Sequence, residues 1–294
     1  MLPLTQISNK HWSSSGCKGT ETPATVTPSE FRASTHSKFG ADMGVPAKVR
    51  SFTVDGLPVV VHTDGRRPSG VTFKTIRAVY ATLQQVYGEC PHDRVVVFLR
   101  DNPEPKTLPR SRSVHVRDIN SGFSWGNLVA VFRNSELHRT LVHEFVHVWR
   151  THSRDLKHHQ AVAHKRLGAP PGCLLTESFV EAVTWLVYGG FCTSGLDVKH
   201  AVSQAAGYLA VTDDGSTNGW AYFVGKAYLV ADGGRMFHDA FFLKGRAVRL
   251  MDRAAFDAVL AIMQHFHTTA KILPSKSPRA PVLCACDVGA PYAA

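Results

Sequence analysis

Apolar residues along this chain keep two different rhythms. Up to about residue 132 they gather in short runs. "LPVVVH" (Leu57 to His62) and "RVVVFL" (Arg94 to Leu99) predict buried strands. "RSVHVRD" (Arg112 to Asp118) alternates as a half-exposed strand does, and "NLVAVF" (Asn127 to Phe132) predicts a fourth strand. Between the first two runs, Phe73, Ile76, Tyr80, Leu83 and Tyr87 recur at three- and four-residue steps. That is the period of an amphipathic helix, and Gly88 is placed to end it. A second helix follows the fourth strand at once. Ser135 can cap it, and Glu136 suits the positive end of its dipole.

Beyond residue 152 the helical rhythm takes over. "CLLTESFVEAVTWLVYGG" and "GWAYFVGKAYLVA" each predict a helix, and Phe256, Val259, Leu260, Met263 and Phe266 line a last one. The expected fold class is α+β: a mixed sheet with its helices over residues 49–151, then a helical subdomain over residues 152–272. Residues 1–48 are rich in Ser, Thr, Gly and Pro and keep no sustained period, so they read as a mostly disordered arm. Residues 273–294 read as a flexible tail, and no internal repeat interrupts the pattern.

Composition refines this only slightly. A hydrophobic fraction of 44% suits a folded protein with a sizeable core. No apolar run reaches the roughly 18 residues of a membrane span, and "MLPLTQISNKHWSSSG" lacks the apolar stretch of a secretory signal. Six cysteines lie scattered through the chain, too sparse for a disulfide scaffold, and Cys284 and Cys286 have no ligand cluster near them in sequence. A reducing, intracellular and cytoplasmic setting is expected. The formal charge of +10 predicts a generally basic surface with weak affinity for nucleic acid or another polyanion, densest at "KTLPRSRSVHVRD" (Lys106 to Asp118).

One stretch changes the picture: "RTLVHEFVHVWR", with His143, Glu144 and His147. Residues four apart lie about 40° apart around a helix axis, so His143 and His147 share a face and can reach one tetrahedral zinc ion. Glu144, rotated by about 100°, flanks that position as a general base would. In a chain with 16 histidines, chance supplies only about 0.02 matches to H-E-x-x-H. The surrounding Leu141, Val142, Phe145, Val146 and Val148 are apolar, and burying two imidazoles and a carboxylate among them is costly unless they are paired or hold a metal.

A catalytic zinc takes three protein ligands and keeps one position open. The metzincin pattern needs Gly at position 150 and His at 153, where the chain has Arg150 and Ser153, so that class is excluded. "THSRDLKHH" offers His152, His158 and His159, the kind of third ligand found in SprT-like proteases. "LLTESFVEAVTW" offers Glu177 and Glu181, again four apart, on a helix made apolar by Leu174, Leu175, Phe179, Val180, Val183 and Trp185. Two like charges at that spacing repel each other unless a cation lies beside them. A zinc ion ligated by Glu177 supplies one, and Glu181 can accept the free N–H of a liganding imidazole.

With these residues in place, the chain resembles the gluzincin metallopeptidases, the group that includes thermolysin and aminopeptidase N. "HEFVH" matches their H-E-x-x-H helix, "LLTESFVEAV" their glutamate helix, and "AYFVGKAYL" the Y-x-x-G element of the aminopeptidase N branch. The resemblance covers roughly residues 55–235. It implies a zincin-like fold, one zinc per chain held by His143, His147 and Glu177, Glu181 behind the ligands, and Tyr222 as a donor to the oxyanion. It also implies that "NLVAVF" is the edge strand that pairs with substrate backbone. Two departures stand out. The interval from His147 to Glu177 is long, with room for an inserted loop containing "HHQAVAHKRLGAPPG", and no segment like G-A-M-E-N precedes the helix to grip a free N-terminus.

The expected activity is zinc-dependent hydrolysis of a peptide bond in a peptide or protein substrate, with Glu144 as proton carrier. His238, in "GGRMFHDAFF", is a second candidate oxyanion donor, and Tyr188 and Tyr228 are expected in the core. Two other readings fit the motifs: a SprT-like protease associated with nucleic acid, and a zinc-stabilised binding module without activity. The module has no need of Glu144.

Overall fold

The computed structural model describes residues 1–36, 44–100, 121–153, 164–192, 196–211, 219–243, 246–270 and 272. The strand expected at 112–118, the basic cluster, His158, His159 and the expected tail lie outside the described residues.

The architecture is α+β. Among the described residues its main sheet has six strands: β1 (Gly19–Thr22), β2 (Arg50–Val54), β3 (Val59–Thr63), β4 (Val95–Leu99), β5 (Gly122–Trp125) and β6 (Leu128–Val131), in the order β1-β2-β3-β4-β6-β5. The three central strands β3, β4 and β6 run parallel, and β1, β2 and β5 are antiparallel to their neighbours. Central parallel strands are covered on both faces, which explains their near-continuous valine runs. Alternate residues serve two cores. Val95, Val97, Leu99, Val129 and Val131 face the large core with α3 (Gly70–Tyr87) and α4 (Leu137–Val148). Phe98, Phe123 and Ala130 face a smaller one closed by Phe31 of α2 (Pro28–His36).

Most expected elements are present. Ser69 caps α3, accepting from the Thr72 N–H at 3.1 Å, and Gly88 ends it with φ of 85°. Before α4, however, Asn134 to Glu136 form a short 3-10 turn and the N-cap is Glu136, not Ser135. The helical part holds α5 (Leu175–Gly189), α6 (Val198–Val211), a π-helical turn Ala221–Gly225 that runs into α7 (Lys226–Val230), α8 (Arg235–Phe241) and α9 (Arg253–Thr269). A two-stranded hairpin, Phe242–Leu243 with Arg246–Ala247, follows α8. One buried cluster reaches from Leu4 to Ile272 and passes through both expected subdomains.

Two expectations are corrected. First, residues 1–36 of the expected N-terminal arm are folded. Helix α1 (Pro3–Ser14) buries Leu4, Thr5, Ser8 and Trp12. Half of that face is polar because it docks on a helix end: Thr5 Oγ1 donates to Leu186 O at 3.1 Å, Ser8 Oγ to Val187 O at 2.5 Å and Asn9 Nδ2 to Gly190 O at 2.9 Å. The last carbonyls of a helix lack partners of their own, and α1 supplies them for α5. Second, among the described strands the edge position is held by β5, not by "NLVAVF". The latter is β6 and lies between β4 and β5. A two-residue turn, Gly126–Asn127, joins β5 to β6, with Gly126 at φ of 60°. No helix among the described residues is long and apolar enough to cross a membrane, and the four described cysteines are free.

Candidate metal centre

Helices α4 and α5 pack against each other, which brings the two carboxylates of α5 onto the two imidazoles of α4. His143 Nε2 and His147 Nε2 lie 3.1 Å apart, and Glu177 Oε2 lies 3.5 Å from the first and 3.3 Å from the second. A tetrahedral ion with bonds of about 2.0–2.1 Å sets its ligand atoms about 3.3–3.4 Å apart. The triangle therefore has the size that zinc requires. Glu177 Oε2 is buried and makes no hydrogen bond among the described residues. A buried carboxylate oxygen without a donor is what a metal ligand looks like before its cation is counted.

The far nitrogens of both rings face polar groups. Glu181 Oε1 lies 2.8 Å from His143 Nδ1, as the i, i+4 spacing suggested, and Glu181 Oε2 pairs with the Arg139 guanidinium. His152 Nε2 lies 3.0 Å from His147 Nδ1. That is the ring nitrogen opposite the one facing Glu177, so His152 braces His147 from outside the triangle. Neither Arg139 nor this place for His152 was evident from sequence. Both depend on how the chain returns after α4, where Arg150 takes a left-handed turn with φ of 50°.

Glu144 is 4% exposed, and its donor atom lies within 4.8 Å of those of His143 and His147. Burial pushes its carboxyl above the ordinary range, against the pull of His143 and His147, and the Ser124 hydroxyl donates to it. Ser124 and Gly122 are alternate residues of β5 and share the face turned to α4. A Cβ on Gly122 would come 3.3 Å from Glu144 Oε1 and 2.6 Å from both Ala130 O and Thr140 Cγ2. Only glycine lets β5 lie this close to Glu144. Neither contact was evident before the strand order was known.

The local field calls for a cation. Burial alone would push His143 down, but Glu177 and Glu181 outweigh it and raise the imidazole to about 10. Against the same cost of burial, Arg139 and His143 hold the Glu181 carboxyl well below its usual range, with Lys226 contributing from α7.

Tyr222 is half-buried, and its ring lies edge-on to His143 with centroids 5.9 Å apart. The structure thus brings it beside the imidazole pair. His238 does not join them: its Nε2 accepts from the Leu4 N–H at 3.4 Å and its ring stacks on Phe242 at 5.6 Å, so it serves the α1 contact. Tyr188 and Tyr228 are core aromatics as expected, and the Tyr228 hydroxyl lies 2.9 Å from His267 Nδ1. No family model, curated protein or solved structure matches this chain.

Proposed function

We propose that the chain is a zinc-dependent metallopeptidase of gluzincin type with a zincin-like fold. The observation that carries this reading is the triangle of His143 Nε2, His147 Nε2 and Glu177 Oε2, with sides of 3.1, 3.3 and 3.5 Å. Two imidazoles and one carboxylate form a donor set suited to zinc, and they leave a fourth position open. When bound, zinc supplies a Lewis acid that lowers the pKa of water toward about 7 and polarises a peptide carbonyl.

The chain's own residues do the rest. Glu144, desolvated and held by Ser124, takes a proton from the attacking water and delivers it to the leaving amine. Tyr222, beside His143, donates to the oxyanion as the carbonyl carbon becomes tetrahedral, a contact typically worth about 2.7–4 kcal/mol. The outer edge of β5 offers backbone groups to an extended peptide. Burial of Glu144 beside the two histidines favours this reading over a metal site that only stabilises the fold.

Elemental analysis of the full chain and its Glu177→Ala variant tests the assignment. The parent should carry about one zinc and the variant far less. Equal zinc in both would overturn Glu177 as the third ligand and move it to His152, His158 or His159, or to Glu144, and none in either, even after reconstitution, would end the reading.

A further inference from the structure

We infer that Arg139 is a positioning residue for the metal centre: it holds Glu181 on His143 and thereby sets the affinity for zinc. This deepens the metallopeptidase reading and rests on it.

Glu181 is 4% exposed and has both oxygens committed, Oε1 to His143 Nδ1 at 2.8 Å and Oε2 to the Arg139 guanidinium. Arg139 precedes His143 by four residues on α4, so ligand and clamp stand on one helix face, one turn apart. A single carboxylate from α5 is therefore gripped at two points of α4. This fixes where the carboxylate sits along the helix and which ring nitrogen of His143 it faces. A proton held on Nδ1, beside Glu181, leaves the Nε2 lone pair for the ion.

Lys226, 1% exposed, adds to the field around Glu181, but its Nζ lies on Gln204 Oε1 at 3.3 Å. Arg139 is the cation in direct contact. A buried ion pair is weak grounds for expecting extra stability, because desolvation offsets the attraction. Orientation of a ligand is the role this geometry fits.

The test is a zinc-affinity cycle on the full-length chain, read by competition with a chelator of known affinity. Arg139→Gln should weaken zinc binding about 10- to 100-fold, the usual loss for a partner that orients a ligand. Glu181→Gln should weaken it similarly. If Arg139 acts through Glu181, the double variant should bind no more weakly than Glu181→Gln alone. Parent-like affinity in Arg139→Gln, or losses that multiply in the double variant, would overturn the inference. Should Arg139→Gln fail to fold, Arg139→Lys takes its place in the cycle under the same criteria. A parent that takes up no zinc would instead defeat the metallopeptidase reading, and the two failures are distinct.

Discussion

Glu144 and Gly122 face each other across the gap between α4 and β5, and each supports a separate prediction. Glu144→Gln keeps the shape of the side chain but cannot carry the proton. It should hold zinc as the parent does and lose about 10²- to 10⁴-fold in kcat on a quenched peptide; undiminished turnover would sink the mechanism. Gly122→Ala places a methyl 2.6 Å from the Ala130 carbonyl oxygen, which cannot step aside. That variant should lose about 1–3 kcal/mol in urea unfolding. Parent-like stability would mean that β5 does not lie this close. At this scale the sequence was informative where spacing along one helix decides the matter. His143 with His147, and Glu177 with Glu181, were legible for that reason. Arg139 had the right spacing too, but its partner is on another helix, and Ser124 and His152 meet the site only after the chain has turned back. His238 was misassigned because a histidine in an apolar segment gives no hint of which backbone N–H it will accept from.

The junction of α1 with α5 decides more at the scale of elements than either helix does alone. Gly190 lies flush against α1, and a Cβ there would come 2.6 Å from Thr5 O and 2.8 Å from Asn9 N. Gly190→Ala should therefore lift α1 off the end of α5 at a cost of about 1–3 kcal/mol, seen as a lower urea midpoint, with a smaller m-value because the native state already exposes part of that contact. Trp12, fully buried against Phe191 with ring centroids 4.9 Å apart, should report the same event as a red-shifted emission. An unchanged midpoint would place α1 elsewhere. The arm was missed because its buried face alternates apolar Leu4 and Trp12 with polar Thr5 and Ser8, and hydrophobic periodicity cannot see a helix that docks on carbonyls. The β5–β6 hairpin was missed for a different reason. Its Gly126–Asn127 turn is a recognisable two-residue signal, but the strand before it is only four residues long.

Across the whole molecule, burial of neutral histidines ties stability to pH. His62, in the central strand β3, is pushed down to about 4, first by burial and then by Arg94, and its Nδ1 lies 2.7 Å from Ser51 Oγ. In the unfolded chain a histidine takes up its proton near pH 6.5. Between those values the unfolded state binds more protons, so stability is complete above about pH 6.5 and is lost as pH falls toward 4. A loss of about 1–3 kcal/mol is expected over that window. Urea unfolding of the parent and of His62→Gln tests it: the slope between pH 6.5 and 5 should be shallower in the variant, and equal slopes would remove His62 as the cause. The division into a sheet-bearing half and a helical half was legible from the change of period near residue 152. The continuity of the core across that division was not, because it depends on α1 bridging α3 and α5 and on α4 packing against α5, and no local pattern encodes those contacts.

The α1–α5 junction also has a consequence for biosynthesis. Thr5, Ser8 and Asn9 find their partners 179 to 181 positions later in the chain. At about 5–20 residues per second, a ribosome needs roughly 10–40 s to deliver those partners after α1 is made. Throughout that interval α1 has only α3 to pack on, and its Thr5, Ser8 and Asn9 lack the carbonyls they dock on. Helix α5, with the glutamates proposed to hold and brace the ion, cannot have its last turn completed until translation has passed Gly190.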